Sequence, residues 1–167
     1  MSKDTPNIPA SSATLALSSK IQIKAPAARV WEILSHFEDY SWSTFTPVVS
    51  LPQTLEPGTQ GHLDSYVPLT ANKPTRVQLT IDEFNAEQRR IVWQGGIGTP
   101  HWLLYAQRVQ QVTEIDGENC EYEHWESQTG VLARVVKWTQ TNNLIECFDR
   151  HSQDLKKKAE SVDASQQ

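Results

Sequence analysis

At 167 residues, with a formal net charge of −5 and 38% apolar residues, the chain fits one domain and leaves little for a second. The acidic balance excludes a general nucleic-acid or anionic-membrane binder, which would carry a basic face. No stretch reaches the ~20 apolar residues of a membrane span, and the N-terminal segment lacks the continuous apolar run of a secretory signal.

In chain order, residues 1–13 are rich in Ser, Pro and Ala without periodicity and read as a disordered arm. Leu15, Leu17, Ser19, Ile21 and Ile23 share a parity, which predicts a first strand. Pro26 opens a helix over 27–37, where Val30, Ile33, Leu34 and Phe37 fall at helical spacing. Tyr40, Trp42 and Phe45 read as a second short helix or turn, ended by Pro47.

Period-two patterning follows. Leu63, Ser65 and Val67 predict a short strand, and Val77, Leu79 and Ile81 a half-buried one. Ile91 and Trp93 begin another, stopped by Gly95-Gly96. His101 to Glu114 reads as one long strand, joined through Asp116-Gly117, a hairpin signal, to a strand over 119–129. From Val131 to about Lys158 there is neither Gly nor Pro. Val131, Val135, Trp138, Asn142, Ile145, Phe148, Ser152 and Leu155 recur at steps of three and four. That predicts a helix of roughly 40 Å with one mainly apolar stripe, too long to stand free of the sheet. The domain is expected over 14–158, with 159–167 a disordered tail.

Six Trp are many for this length and belong in a core or pocket wall. Cys120 and Cys147 make no disulfide framework, which points to a reduced, cytoplasmic setting. The five His show no metal-ligand spacing, and no phosphate-cradling or nucleophile-elbow motif occurs. No metal and no cofactor are therefore expected.

On the strand after Asp116-Gly117, even positions hold Tyr122, His124 and Glu126. Odd ones hold Glu121, Glu123, Trp125, Ser127 and Thr129, of which the two Glu, Ser and Thr suit water better. This turns Tyr122, His124 and Glu126 towards the interior, with His124 and Glu126 ~7 Å apart along one face. A carboxylate beside an imidazole suits general acid–base work, and it also suits a structural brace for the last helix. His101 and Tyr105, on one face of the preceding strand, are candidate donors to a ligand oxygen.

Three runs carry a resemblance: IQIKAPAARVWEILSHFEDYSWSTFTPVV from Ile21, RRIVWQGG from Arg89, and HWLLYAQRVQQVTEIDGENCEYEHWESQTGVL from His101. In order and spacing they resemble the START-like or SRPBCC superfamily, the helix-grip fold shared with the birch-pollen allergen and polyketide cyclases. Trp42 comes two residues after Tyr40 rather than three, and Gln128 stands where an aromatic is usual. The resemblance implies an α+β helix-grip fold: a curved antiparallel sheet around a long C-terminal helix, with two short helices after the first strand.

It also implies a cavity for a hydrophobic, polyketide-like or aromatic small molecule. The expected function is a cofactor-free cyclase, dehydratase or isomerase of secondary metabolism, with His124, Glu126, Tyr122 and His101 as catalytic candidates. Trp93, Leu103, Tyr105, Val135, Trp138 and Asn142 are the expected ligand contacts. The alternative is a carrier or sensor that binds such a ligand unchanged. The expected partner is that small molecule, with no nucleic acid and no membrane, bound to a monomer or homodimer.

Overall fold

A computed structural model describes residues 3–96 and 98–161. Seven antiparallel strands run in chain order as β1 (Leu15–Ile23), β2 (Val48–Ser50), β3 (Gln60–Ser65), β4 (Thr75–Asn85), β5 (Arg90–Gly96), β6 (Tyr105–Glu114) and β7 (Cys120–Thr129). Helix α1 (Ala27–Ser35) follows β1, and α2 (Val131–Glu160) ends the described chain. The spatial order is β1-β7-β6-β5-β4-β3-β2, so the first strand lies beside the last. One wide, twisted sheet grips α2, as the helix-grip expectation requires.

The inner face follows from strand parity. Ile23, Leu79, Ile81, Ile91, Trp93, Val112 and Tyr122 turn inward with α1 and Leu155 of α2 to form the main core. A bulge between Ile81 and Glu83 bends β4 and puts Asp82 on the outer face, where it accepts hydrogen bonds from Gln94 (2.8 Å) and Gln107 (2.5 Å). Gly130 joins β7 to α2 at φ 101°, and a Cβ there would meet the Leu103 carbonyl oxygen at 2.6 Å. Only glycine fits that junction.

Three segments differ from the sequence reading. Residues 3–13, expected as a disordered arm, pack on the outer face instead. Ile8 is buried, Asp4 O accepts from Trp125 Nε1 at 2.9 Å, and Asn7 N donates to Gln107 Oε1 at 2.8 Å. The reason is an outer cluster of Val92, Val109 and Trp125 that needs a cover. Of the helix-or-turn reading for Tyr40 to Pro47 the turn is what forms, so one short helix and not two lies between β1 and β2, and 101–103 is a turn, with β6 starting only at Tyr105. Residues 159 and 160, expected in a disordered tail over 159–167, instead continue α2 with Ala159 buried, and 162–167 lie outside the described residues.

The fourth correction concerns α2. In its first half Val131, Val135, Trp138, Asn142 and Ile145 are exposed, Trp138 to 86%. The inward stripe is Ala133, Val136, Gln140 and Leu144, joining Phe148, Ser152 and Leu155 below. Two interleaved apolar rows satisfy helical spacing there, and packing against the sheet selects the other row. No helix of the described residues is long and apolar enough to cross a membrane.

Candidate functional site

Between the inner sheet face and the first half of α2 lies a cavity of about 240 Å³. Leu63, Val77, Leu79 and Trp93 form its sheet wall, and Val136, Leu144 and Phe148 its helix wall, with Phe45 beside them. One end is polar: Arg108 from β6 and Glu126 and Gln128 from β7 meet there. These three share a face because β6 and β7 pair Arg108 with Glu126 and Ala106 with Gln128.

Arg108 is only 5% exposed. A guanidinium keeps its proton in proteins and has no acceptor, so the 2.7 Å contact between its Nη2 and His124 Nδ1 makes that nitrogen the acceptor. The ring proton then sits on Nε2, which donates to the Phe148 carbonyl (3.1 Å) and Ser152 Oγ (3.1 Å). Ser152 Oγ lies 2.9 Å from Ser19 Oγ on β1. Burial, then Arg108 and His151, push the His124 imidazole well below its ordinary range, and the Phe148 carbonyl opposes them. The ring is a neutral brace joining sheet, guanidinium and α2. It stacks between Tyr122 at 5.2 Å and Phe148 at 4.5 Å.

A second buried imidazole, His151, meets Ser43 Oγ through Nδ1 at 2.8 Å, and the same hydroxyl accepts from Thr46 N at 3.0 Å. It too is held well below its ordinary range, by burial first and by Arg108 second.

Glu126 differs from both. Its carboxyl reaches the cavity, and its hydrogen bond comes from Gln128 Nε2 at 2.6 Å. Burial raises its pKa above the usual carboxylate value, while Arg108 and Gln128 pull the other way. Arg108 is flanked by aromatic faces, its Cζ 4.6 Å from the Phe148 ring centroid and 5.5 Å from that of Phe45. The polar end therefore combines a permanent cation with a carboxyl that burial favours as the acid, inside an apolar pocket.

Of the residues singled out from sequence, Glu126 and Trp93 line this cavity. Tyr122 and His124 point inward but sit behind it, the Tyr122 hydroxyl donating to Gln110 Oε1 at 2.7 Å. Tyr105 and His101 lie outside, stacked at 4.2 Å, with Asn7 Nδ2 donating to the Tyr105 hydroxyl at 3.0 Å. Leu103 sits in the turn before β6, its carbonyl accepting from Leu132 N at 2.8 Å; Leu104 lines the cavity in its place. Val135, Trp138 and Asn142 face away from it on α2.

The residue missed was Arg108, and the cause is register. A two-residue turn at Asp116-Gly117 pairs Ile115 with Glu118 and so odd with even positions. The actual loop is five residues long, with Glu114 opposite Cys120, Ile115 N bonded to Asn119 O, and the Asp116 carboxylate accepting from Glu118 N and Asn119 N. That one-residue difference turns every β6 side chain to the other face. It brings Arg108 in and puts Tyr105 and Gln107 out.

Residues 14–160 match the family model described as polyketide cyclase / dehydrase and lipid transport. Oxopyrrolidines biosynthesis cluster protein O of Penicillium oxalicum is 33% identical over 180 residues, covering 90% of this chain and 89% of that protein. Among solved structures, the Zhui aromatase/cyclase of a Streptomyces species superposes with a TM-score of 0.65 at 15% identity, over 87% of this chain and 93% of its own. The Helicobacter pylori protein jhp0584 superposes with a TM-score of 0.70 at 17% identity, covering 94% and 92%.

Proposed function

We propose, from the premise that this chain belongs to the polyketide cyclase/dehydrase and lipid transport family, that it catalyses a cofactor-free ring closure or dehydration in its cavity. The substrate is a small, largely apolar, oxygenated secondary metabolite. The observation that carries this reading is the Glu126 carboxyl, raised by burial and open to an apolar pocket beside the permanent charge of Arg108. The biosynthetic cluster in the name of the Penicillium relative supports a secondary-metabolite substrate.

Glu126 in its acid form gives a proton to a ligand oxygen, either a carbonyl under attack in ring closure or a hydroxyl leaving as water. The carboxylate so formed takes a proton from the carbon that becomes the nucleophile or the alkene terminus. The residue ends as it began, and neither redox change nor cofactor enters the balance. Arg108 anchors the oxygenated end of the ligand and lowers the cost of negative charge developing there. The aromatic walls fix the ligand relative to Glu126, and such positioning supplies much of the rate in a dry pocket.

The test is dehydration of a β-hydroxy ketone bearing one aromatic ring, whose loss of water creates a conjugated enone read by ultraviolet absorbance. The protein should accelerate it, and Glu126→Gln should lower turnover by about 10²–10⁴-fold, the usual worth of general acid–base catalysis, with binding retained. Binding without acceleration would replace this reading by the carrier, and full activity in Glu126→Gln would remove Glu126 from it.

A further inference from the structure

Arg108 is a buried cation whose hydrogen-bond partners, the His124 ring and the Tyr122 hydroxyl, are both neutral. Its Nη2 meets His124, its Nε is buried with no partner, and among the described residues it makes no ion pair with a carboxylate. Glu126, opposite it in the register, takes its hydrogen bond from Gln128 instead. Each of the described exposed arginines 76 and 150 has its own carboxylate, at 2.8 Å and 3.3 Å. Arg108, far more deeply buried than either, meets no carboxylate at ion-pair distance among the described residues. Burying a charge without a counter-charge is among the more costly arrangements in proteins. The faces of Phe45 and Phe148 offset part of that cost, but π faces do not use the planar N–H fork.

Arg108 lines the polar end of a cavity whose remaining lining is mostly apolar and aromatic. A guanidinium matches the two coplanar oxygens of a carboxylate. At about 240 Å³ the space falls just short of the ~300–1,000 Å³ of drug-sized sites. It suits one or two fused rings.

We infer that the ligand enters as an organic anion, a small aromatic or polyunsaturated carboxylate whose carboxylate group is held by Arg108. The inference rests on the cavity being the substrate site proposed above, and it names the substrate class. It does not depend on proton transfer by Glu126. A free acid also differs from a thioester-bound chain, since an esterified carbonyl carries no charge for Arg108 to meet. A reaction that releases a free acid supplies such a substrate, as hydrolysis of an acyl ester by water does.

The experiment is calorimetric titration of the full chain with naphthoate and with naphthamide, alike in shape and different in charge. Naphthoate should bind at least about tenfold more tightly, as expected for a charge-assisted bidentate contact. Equal affinities, or a tighter amide, would overturn the inference on the wild-type protein alone. Arg108→Met, with folding checked by circular dichroism, should bring naphthoate down to the amide's affinity, and Arg108→Lys should recover part of the preference. A preference that survives in folded Arg108→Met would assign the anion to another group and end the inference. Glu126→Gln separates the two proposals. Preference retained with turnover lost supports both, and turnover lost without any wild-type preference leaves only the proton-transfer reading. Preference retained with full turnover leaves only this one.

Discussion

Mild acid should destabilise this protein through two histidines that never touch solvent. His124 and His151 are 0% and 1% exposed, and burial, reinforced by Arg108, holds both imidazoles well below their ordinary range. In the unfolded chain the same rings titrate near ~6.5. As pH falls below that value the unfolded chain takes up protons that the folded one refuses. Stability is full above it and falls by about 1.4 kcal/mol per pH unit for each ring until the folded rings protonate.

Arg108 from β6 and Tyr122 from β7 face His124, and Ser43 and Trp42 face His151, so the hydrogen bonds given to these rings offer no carboxylate to favour the charged form. Glu126 works in the opposite sense. Its raised folded pKa gives a contribution that is full below the ordinary carboxyl value and lost as pH rises through the folded one. Between pH 7 and pH 5.5 the two histidines together remove about 2.5 kcal/mol, or roughly 5–10 °C of melting temperature for a domain of this size. Thermal melts at constant ionic strength read this directly. His124→Asn, which keeps an acceptor for Arg108 but cannot protonate, should be less stable at pH 7 and show about half the slope. A melting temperature that stays flat from pH 7 to 5.5, or an unchanged slope in His124→Asn, would refute the reasoning.

Two further expectations follow from the corrected packing. Deleting residues 1–9 removes Ile8, whose burial alone is worth roughly 2 kcal/mol, and uncovers Trp125. The denaturant midpoint should fall and tryptophan emission shift to the red, whereas an unchanged midpoint would show that the arm holds nothing. On α2, Val136→Trp should fill the cavity and abolish naphthoate binding. Trp138→Ala should leave binding intact and stability within about 0.5 kcal/mol; lost binding in that variant would return the site to the outer face of α2.

What could be seen in the sequence was whatever depends on local periodicity. Leu15 to Ile23, Arg76 to Asp82 and Ile91 to Gly96 announce their strands because alternate side chains meet core and water, and the Gly- and Pro-free run after Gly130 announces α2. Parity alone put Glu126 on the inner face, where it now lines the cavity. The rest depended on how elements dock. β6 carries Val109 at an odd position and Val112 at an even one, so its pattern favours neither face, and only the five-residue loop after Glu114 decides that Arg108 enters. Val131, Val135 and Trp138 mimic a buried stripe, since their spacing is helical whichever side the sheet lies on. The arm reads as disordered in isolation and is ordered by the Trp125 surface it covers.

The pairing of β1 with β7 has a consequence in time as well as in space. Its partners lie roughly a hundred residues apart along the chain, so the sheet cannot be completed while the protein is still being made until nearly the whole chain has left the ribosome. Closing so long a loop is entropically slow, and topologies built on distant contacts fold late. Until then the inward face of β1, with Leu15, Leu17, Ile21 and Ile23, stands as an uncovered apolar strand edge, the kind that recruits chaperones or a neighbouring nascent copy.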